Sequence, residues 1–153
     1  MPSKLAVCVL AEGVALDQIT GRITAFNILD AIRSKSVPAM LPKLMVLNTY
    51  ESDGVPDAFV ERVTISAPNG AKMAEAFAEI TIAGPAHNSI HALWALRFDE
   101  FGAYEVSVAR AETRDGKWRT IAGRRLVLVD LPHPQWAADG QPKIQGGGAA
   151  ITE

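Results

Sequence analysis

The chain has 153 residues, of which 48% are hydrophobic and 21% charged, with a formal net charge of −2. That is the composition of a single globular domain able to bury a core, and it excludes disorder and any general attraction to nucleic acid or anionic membrane. Cys8 is the only cysteine, so no disulfide closes within the chain and a cytoplasmic setting is expected.

The chain opens on an apolar run, residues 5–11, preceded by Lys4 and closed by Glu12. It is far shorter than the roughly 20 residues a membrane-spanning helix needs, and it reads as a buried first strand, 4–12, rather than as a signal peptide. Strands are expected next over 22–34 and 43–51. Between them Pro38 and Pro42 make the segment from Val37 to Leu41 a turn or loop. Over 58–67, Val63, Ile65 and Ala67 alternate with Arg62, Thr64 and Ser66, the period of a half-buried strand. The stretch 71–82 contains good helix formers, but the Asn69-Gly70 hairpin signal before it and Ile80-Thr81-Ile82 at its end predict a strand.

Over 88–98, Ile90, Ala92, Trp94, Leu96 and Phe98 are expected on one face, with His91 and Arg97 on the other. Over 103–112, Tyr104, Val106 and Val108 share a face opposite Glu105 and Ser107, and the last strand is expected over 117–130. A Gly two residues before Tyr104 resembles the tyrosine corner of Greek-key sandwiches. Eight short strands separated by turn signals predict an all-β fold: an antiparallel β-sandwich of Greek-key, immunoglobulin-like topology. Residues 1–130 form that domain. Residues 131–153, rich in Pro and Gly and carrying Trp136, form an extended C-terminal tail expected to order against a neighbouring subunit or partner.

Sites of chemistry are sparse. His87 and His91, on one strand, lie roughly 13 Å apart at about 3.3 Å per residue, too far to share a metal ion, and are expected in solvent or a loop. His133 lies between two prolines of the tail, without neighbouring ligands. Cys8, mid-strand in an apolar run, reads as a core thiol. No nucleophile elbow, dinucleotide-binding glycine motif or phosphate-binding loop occurs. The acidic residues near turns do not cluster as calcium ligands do. No catalytic residue, metal or cofactor is assigned.

Charge is unevenly placed. Residues 110–125 hold Arg110, Arg114, Lys117, Arg119, Arg124 and Arg125 against Glu112 and Asp115, a net +4 that leaves −6 elsewhere. This hairpin reads first as cationic protection of an edge strand, next as the positive half of an interface, and last as a contact for single-stranded nucleic acid through Trp118. No nucleic-acid or membrane partner is expected.

Residues 5–12, then Gly21-Arg22-Ile23 running to Ile28-Leu29-Asp30, then Val37-Pro38-Ala39 and Lys43-Leu44-Met45-Val46 give the N-terminal third its character. With Pro68-Asn69-Gly70 and Phe101-Gly102-Ala103-Tyr104, the chain resembles a family of small bacterial proteins of unknown function over about residues 4–130. The resemblance implies a β-sandwich and supplies no site residues. The basic hairpin and the tail depart from it.

The function expected is therefore a non-enzymatic protein-interaction or assembly module, working through sheet edges and the C-terminal arm with a protein partner or a second copy. Its candidate contacts are Trp118, Arg119, Arg124, Arg125 and Trp136. A small-molecule or carbohydrate-binding sandwich using exposed tryptophans is the alternative, and an enzyme with scattered catalytic residues is a third.

Overall fold

A computed structural model describes residues 3–131. Nine strands follow in order: β1 (Lys4–Leu16), β2 (Ile23–Ile28), β3 (Ala31–Ser34), β4 (Ala39–Glu51), β5 (Asp57–Ser66), β6 (Lys72–Ile82), β7 (Ala86–Phe98), β8 (Gly102–Ala111) and β9 (Arg119–Asp130). They build a four-stranded sheet, β2-β1-β4-β7, and a five-stranded sheet, β3-β9-β8-β5-β6. Between the two lies a main cluster, in which Leu10, Leu44 and Val46 from the first meet Val63, Ile65, Val106 and Leu126 from the second, and a smaller one of Tyr50, Phe59, Ile80 and Ile82. The fold is all-β, and no helix occurs among the described residues. None is therefore long and apolar enough to cross a membrane.

Most predicted strands fall where periodicity places them, including β6, whose helix formers lose to the turn before it. Gly70 there has φ +84°, and the Asn69 side chain accepts a bond from the Ala71 amide at 2.9 Å. At Tyr104 the phenol donates to the Glu100 carbonyl at 2.8 Å, the bond of a tyrosine corner.

Three expectations are corrected. The strand expected over 22–34 is two strands. After Asn27 (φ 54°) the chain leaves one sheet for the other, with the Leu29 amide bonding the Leu10 carbonyl and the Asp30 carbonyl accepting from the Val127 amide. The loop expected through Leu41 is already strand from Ala39. In β7 the alternation slips. Leu93, Leu96 and Phe98 point inward while Trp94 and Ala95 are both exposed, because Ala95 adopts φ 51°. The paired strand slips at the same level, where Leu41 and Leu44 flank Pro42 and Lys43, so the register of β4 against β7 is kept. Ile90, Ala92 and Trp94 therefore face outward and His91 inward, the reverse of the sequence pattern at those positions.

At one side of the sandwich β6 and β7 are full-length edge strands; at the other the edges are short. β2 pairs with β1 only over residues 11–16, and β3 runs parallel to β9 only over residues 127–130. Among the described residues, 4–10 of β1 and 119–126 of β9 have one sheet neighbour each.

Candidate functional site

The open side just described carries three of the residues that sequence reasoning selected, Arg119, Arg124 and Arg125, all on β9. Arg124 faces the interior of the sandwich, since it opposes Val106, and its Nε donates to the Cys8 carbonyl at 2.9 Å. That bond ties the two half-paired strands together across the gap between sheets. Burial pushes the Cys8 thiol up, against the opposing pull of Arg124. Cys8 is a core residue, 6% exposed. Arg125 points the other way, opposite Glu105 on the outer face. Arg119 opposes Arg110 at the far end of the same strand pair.

Arg110 is not a solvated cation of a hairpin. Its guanidinium forks onto Asp57, with Nη2 at 3.0 and 3.2 Å from the two carboxylate oxygens, and lies 3.8 Å over the Phe59 ring. The Asp57 carboxylate also accepts from the Ser3 amide at 2.9 Å, which holds the start of the chain. Desolvation works to raise the Asp57 carboxyl, but the Ser3 and Arg110 bonds outweigh it and hold it below its usual range.

Trp118 ends the loop, residues 112–118, between β8 and β9. A turn closed by the Gly116 amide on the Thr113 carbonyl brings it back over the outer face of the five-stranded sheet. There Arg62 and Phe77 are direct cross-strand neighbours. The Arg62 guanidinium lies 4.3 Å from the Trp118 ring, Trp118 and Phe77 stack at 5.8 Å, and Arg114 lies 4.4 Å over Phe77. The two rings stand side by side between the two cations, and each guanidinium meets the negative face of a ring. An open groove of about 500 Å³ runs beside this ladder, lined among others by Val60, Phe77, Glu79, Glu112 and Arg114. Trp136 lies outside the described residues, as does the expected C-terminal arm.

A polar cluster that the sequence reading passed over sits in the core. Glu61, fully buried, reaches from β5 to the opposite sheet. Its Oε2 accepts from Asn48 Nδ2 at 3.0 Å and from the Tyr50 hydroxyl, and its Oε1 accepts from Ser89 Oγ and from His91 Nε2 at 2.5 Å. Desolvation alone would raise the Glu61 carboxyl, but the bonds from His91, Ser89 and Tyr50 hold it below its ordinary value. Burial, then the Glu61 carboxylate, push the Tyr50 phenol up. His91 is thus a core residue, not the solvent-facing one expected, because the slip at Ala95 reverses the facing of its strand. One signal was available: the alternation of Val63 and Ile65, carried two residues back, puts Glu61 on the core face. The cluster has acid–base groups but no opening, since its five side chains belong to residues at most 6% exposed.

A family of unknown function, DUF6941, matches residues 6–119. The chain belongs to that family. No curated protein sequence matches the chain. Among solved structures it is similar to a Pseudomonas fluorescens alkylpurine DNA glycosylase bound to DNA containing an abasic-site analogue: 12% identity, TM-score 0.49, covering 82% of this chain and 30% of that one. It is similar to the C-terminal domain of wzt at 10% identity and TM-score 0.47, over 83% of this chain and 73% of that one. A Bifidobacterium dentium β-glucuronidase complexed with coumarin-3-O-glucuronide matches at 16% identity and TM-score 0.37, over 82% of this chain and 17% of that one. The chain thus spans under a third of the glycosylase and under a fifth of the glucuronidase. Nothing about the activity of this family member follows from these likenesses.

Proposed function

We propose that this DUF6941 domain is a non-enzymatic protein-interaction module that takes an extended segment of a partner along the open side of the sandwich. The supporting observation is that 4–10 of β1 and 119–126 of β9 lack a second neighbour on the same side, bridged by Arg124 and Cys8. The Cys8 and Leu10 carbonyls are already taken, by Arg124 and by the Leu29 amide, so β9 is the more open of the two strands; adding a strand to such an edge gives affinity from main-chain bonds and specificity from side chains. Arg119 stands at one end of this edge and Arg125 near the other, so the segment that suits it is acidic. The C-terminal segment, with Trp136, belongs to the same reading as an arm towards the partner. The parallel β3–β9 pair and the bond of Tyr104 to Glu100 support an immunoglobulin-like Greek-key connectivity. A single buried thiol supports a cytoplasmic setting. The reading is non-enzymatic because the acid–base groups around Glu61 are sealed from any substrate.

The test is affinity purification from the native cell with the full chain and with an Arg119→Glu, Arg125→Glu variant. A partner held by the unmodified chain and lost by the variant is expected; equal recovery by both overturns the reading.

A second reading, a small-molecule or carbohydrate-binding sandwich, is favoured by the groove beside the Arg62–Trp118–Phe77–Arg114 ladder, whose volume of about 500 Å³ lies within the ligand-pocket range. Calorimetric titration with sugars, giving binding heat for the unmodified chain and none for a Phe77→Ala variant, checks it.

A further inference from the structure

The four-stranded sheet carries apolar rows on both faces, which is unusual for an antiparallel sheet with one side in solvent. Its inner face supplies Cys8, Leu10, Leu44 and Val46 to the core. Its outer face repeats the pattern. Val9, Leu47 and Ile90 stand in register across three strands. In the adjacent row Ile28, Ala11, Met45 and Ala92 cross all four. Phe26 lies on the same face, flat across Gly13, where an added Cβ would come within 2.0 Å of its ring. Of the ten large hydrophobic side chains exposed among the described residues, six fall here: Val7, Phe26, Ile28, Met40, Ile90 and Trp94, the last 67% exposed.

We propose that this outer face is the interface of a homodimer, packed face to face against the same face of a second copy. This is distinct from the Trp118 groove, which lies on the other sheet, and it borders the open edge at Val7 and Val9.

Three features favour a second copy as the occupant. First, the rows from Lys43 to Thr49 contain no carboxylate, and their one cation, Lys43, lies 5.4 Å over the Trp94 ring. A charged partner or an anionic lipid surface finds little to answer, whereas an apolar face complements itself about a two-fold axis. Second, sheets pack on sheets with interdigitated side chains about 10 Å apart, and this face is already a flat, ordered layer suited to that packing. Third, the area is adequate. Ten residues at about 3.3 Å by four strands at about 4.8 Å give a footprint on the order of 600 Å² before side-chain relief. A stable dimer buries about 800 Å² of accessible surface per partner, and exposed patches of several hundred Å² mark interaction sites.

The experiment is sedimentation equilibrium on the full chain, comparing the unmodified protein with an Ile90→Thr, Trp94→Thr variant. Threonine keeps strand propensity, and both positions are exposed, so the variant should retain its far-UV circular dichroism. A dimer is expected for the unmodified chain, with its dissociation constant raised at least about thirtyfold in the variant. A Val55→Thr control, an exposed apolar residue in the β4–β5 loop, should leave the dimer intact. A monomeric unmodified chain, or a dimer unchanged in the double variant, overturns the proposal. So does an unmodified monomer that dimerises when Trp136, Ile144 and Ile151 are changed to Ser, which would show the face covered by the chain's own C-terminal segment.

Discussion

His91 Nε2 stands 2.5 Å from Glu61 Oε1, although the two residues belong to different sheets and are 30 positions apart. The contact makes a carboxylate, normally a costly group to bury, into a clamp between the layers of the sandwich. With Ser89, Asn48 and Tyr50 the carboxylate receives four donors, all from the opposite sheet. Among the described residues the Asn48 Oδ1 atom is the one side-chain polar atom of this cluster buried without a partner, so removing a further partner is costly.

Glu61→Ala should therefore be among the most damaging single substitutions in the domain. It removes the shared acceptor and leaves four buried donors without a partner, at a cost of about 3 kcal/mol or more. Glu61→Gln keeps the size but turns an amide towards two of the donors, and should fall between Ala and the unmodified chain. Urea unfolding followed by tryptophan fluorescence measures both.

Acid should unfold the protein through the same group. The Glu61 carboxyl is held below its ordinary value of 4.5 in the fold, so it binds protons more readily when unfolded. Its stabilisation is fully present above that ordinary value and is lost as pH falls through the depressed folded one. Asp57, held down by Ser3 and Arg110, acts in the same direction. Melting temperatures should be flat from pH 7 to about 5 and fall steeply below about 4. In Glu61→Gln the acid-side decline should be visibly shallower.

Trp118→Ala tests the ladder. Arg62 and Phe77 lose the ring between them, and Arg114 keeps only Phe77. Trp118 is half-buried and not part of the core, so the expected stability loss is modest, about 1–2 kcal/mol. The sharper sign is local: amide hydrogen exchange should accelerate across residues 112–118 while β8 and β9 stay protected.

Gly13→Ala separates the fold from the proposed interface. The new Cβ takes the space of the Phe26 ring, whose far end must swing away. Phe26 is half exposed, so the domain should lose no more than about 1 kcal/mol. The ring then stands proud of the outer face and blocks close approach. Sedimentation should show a weakened dimer at nearly unchanged melting temperature.

What the sequence by itself determined is local. Period-two alternation marked the strands of both hairpins, Asn69-Gly70 marked a turn, and Gly102 before Tyr104 marked the corner, because each depends on residues within a few positions of one another. The family resemblance, carried by the same local patterns, also held. The sequence placed Trp118, Arg119, Arg124 and Arg125 together in one hairpin, but not which way each side chain faces. Tertiary structure decided that Arg124 crosses to β1 and that Arg110 turns inward to Asp57. It split 22–34 between two sheets, where the Leu10 carbonyl and the Val127 amide each claim a different half of the segment. It set Ala95 in a left-handed conformation that reverses the facing of His91, and so joined His91 to Glu61. Facing in a strand inverts with a single-residue slip, and such a slip is fixed by the strand alongside, not by the residues that undergo it.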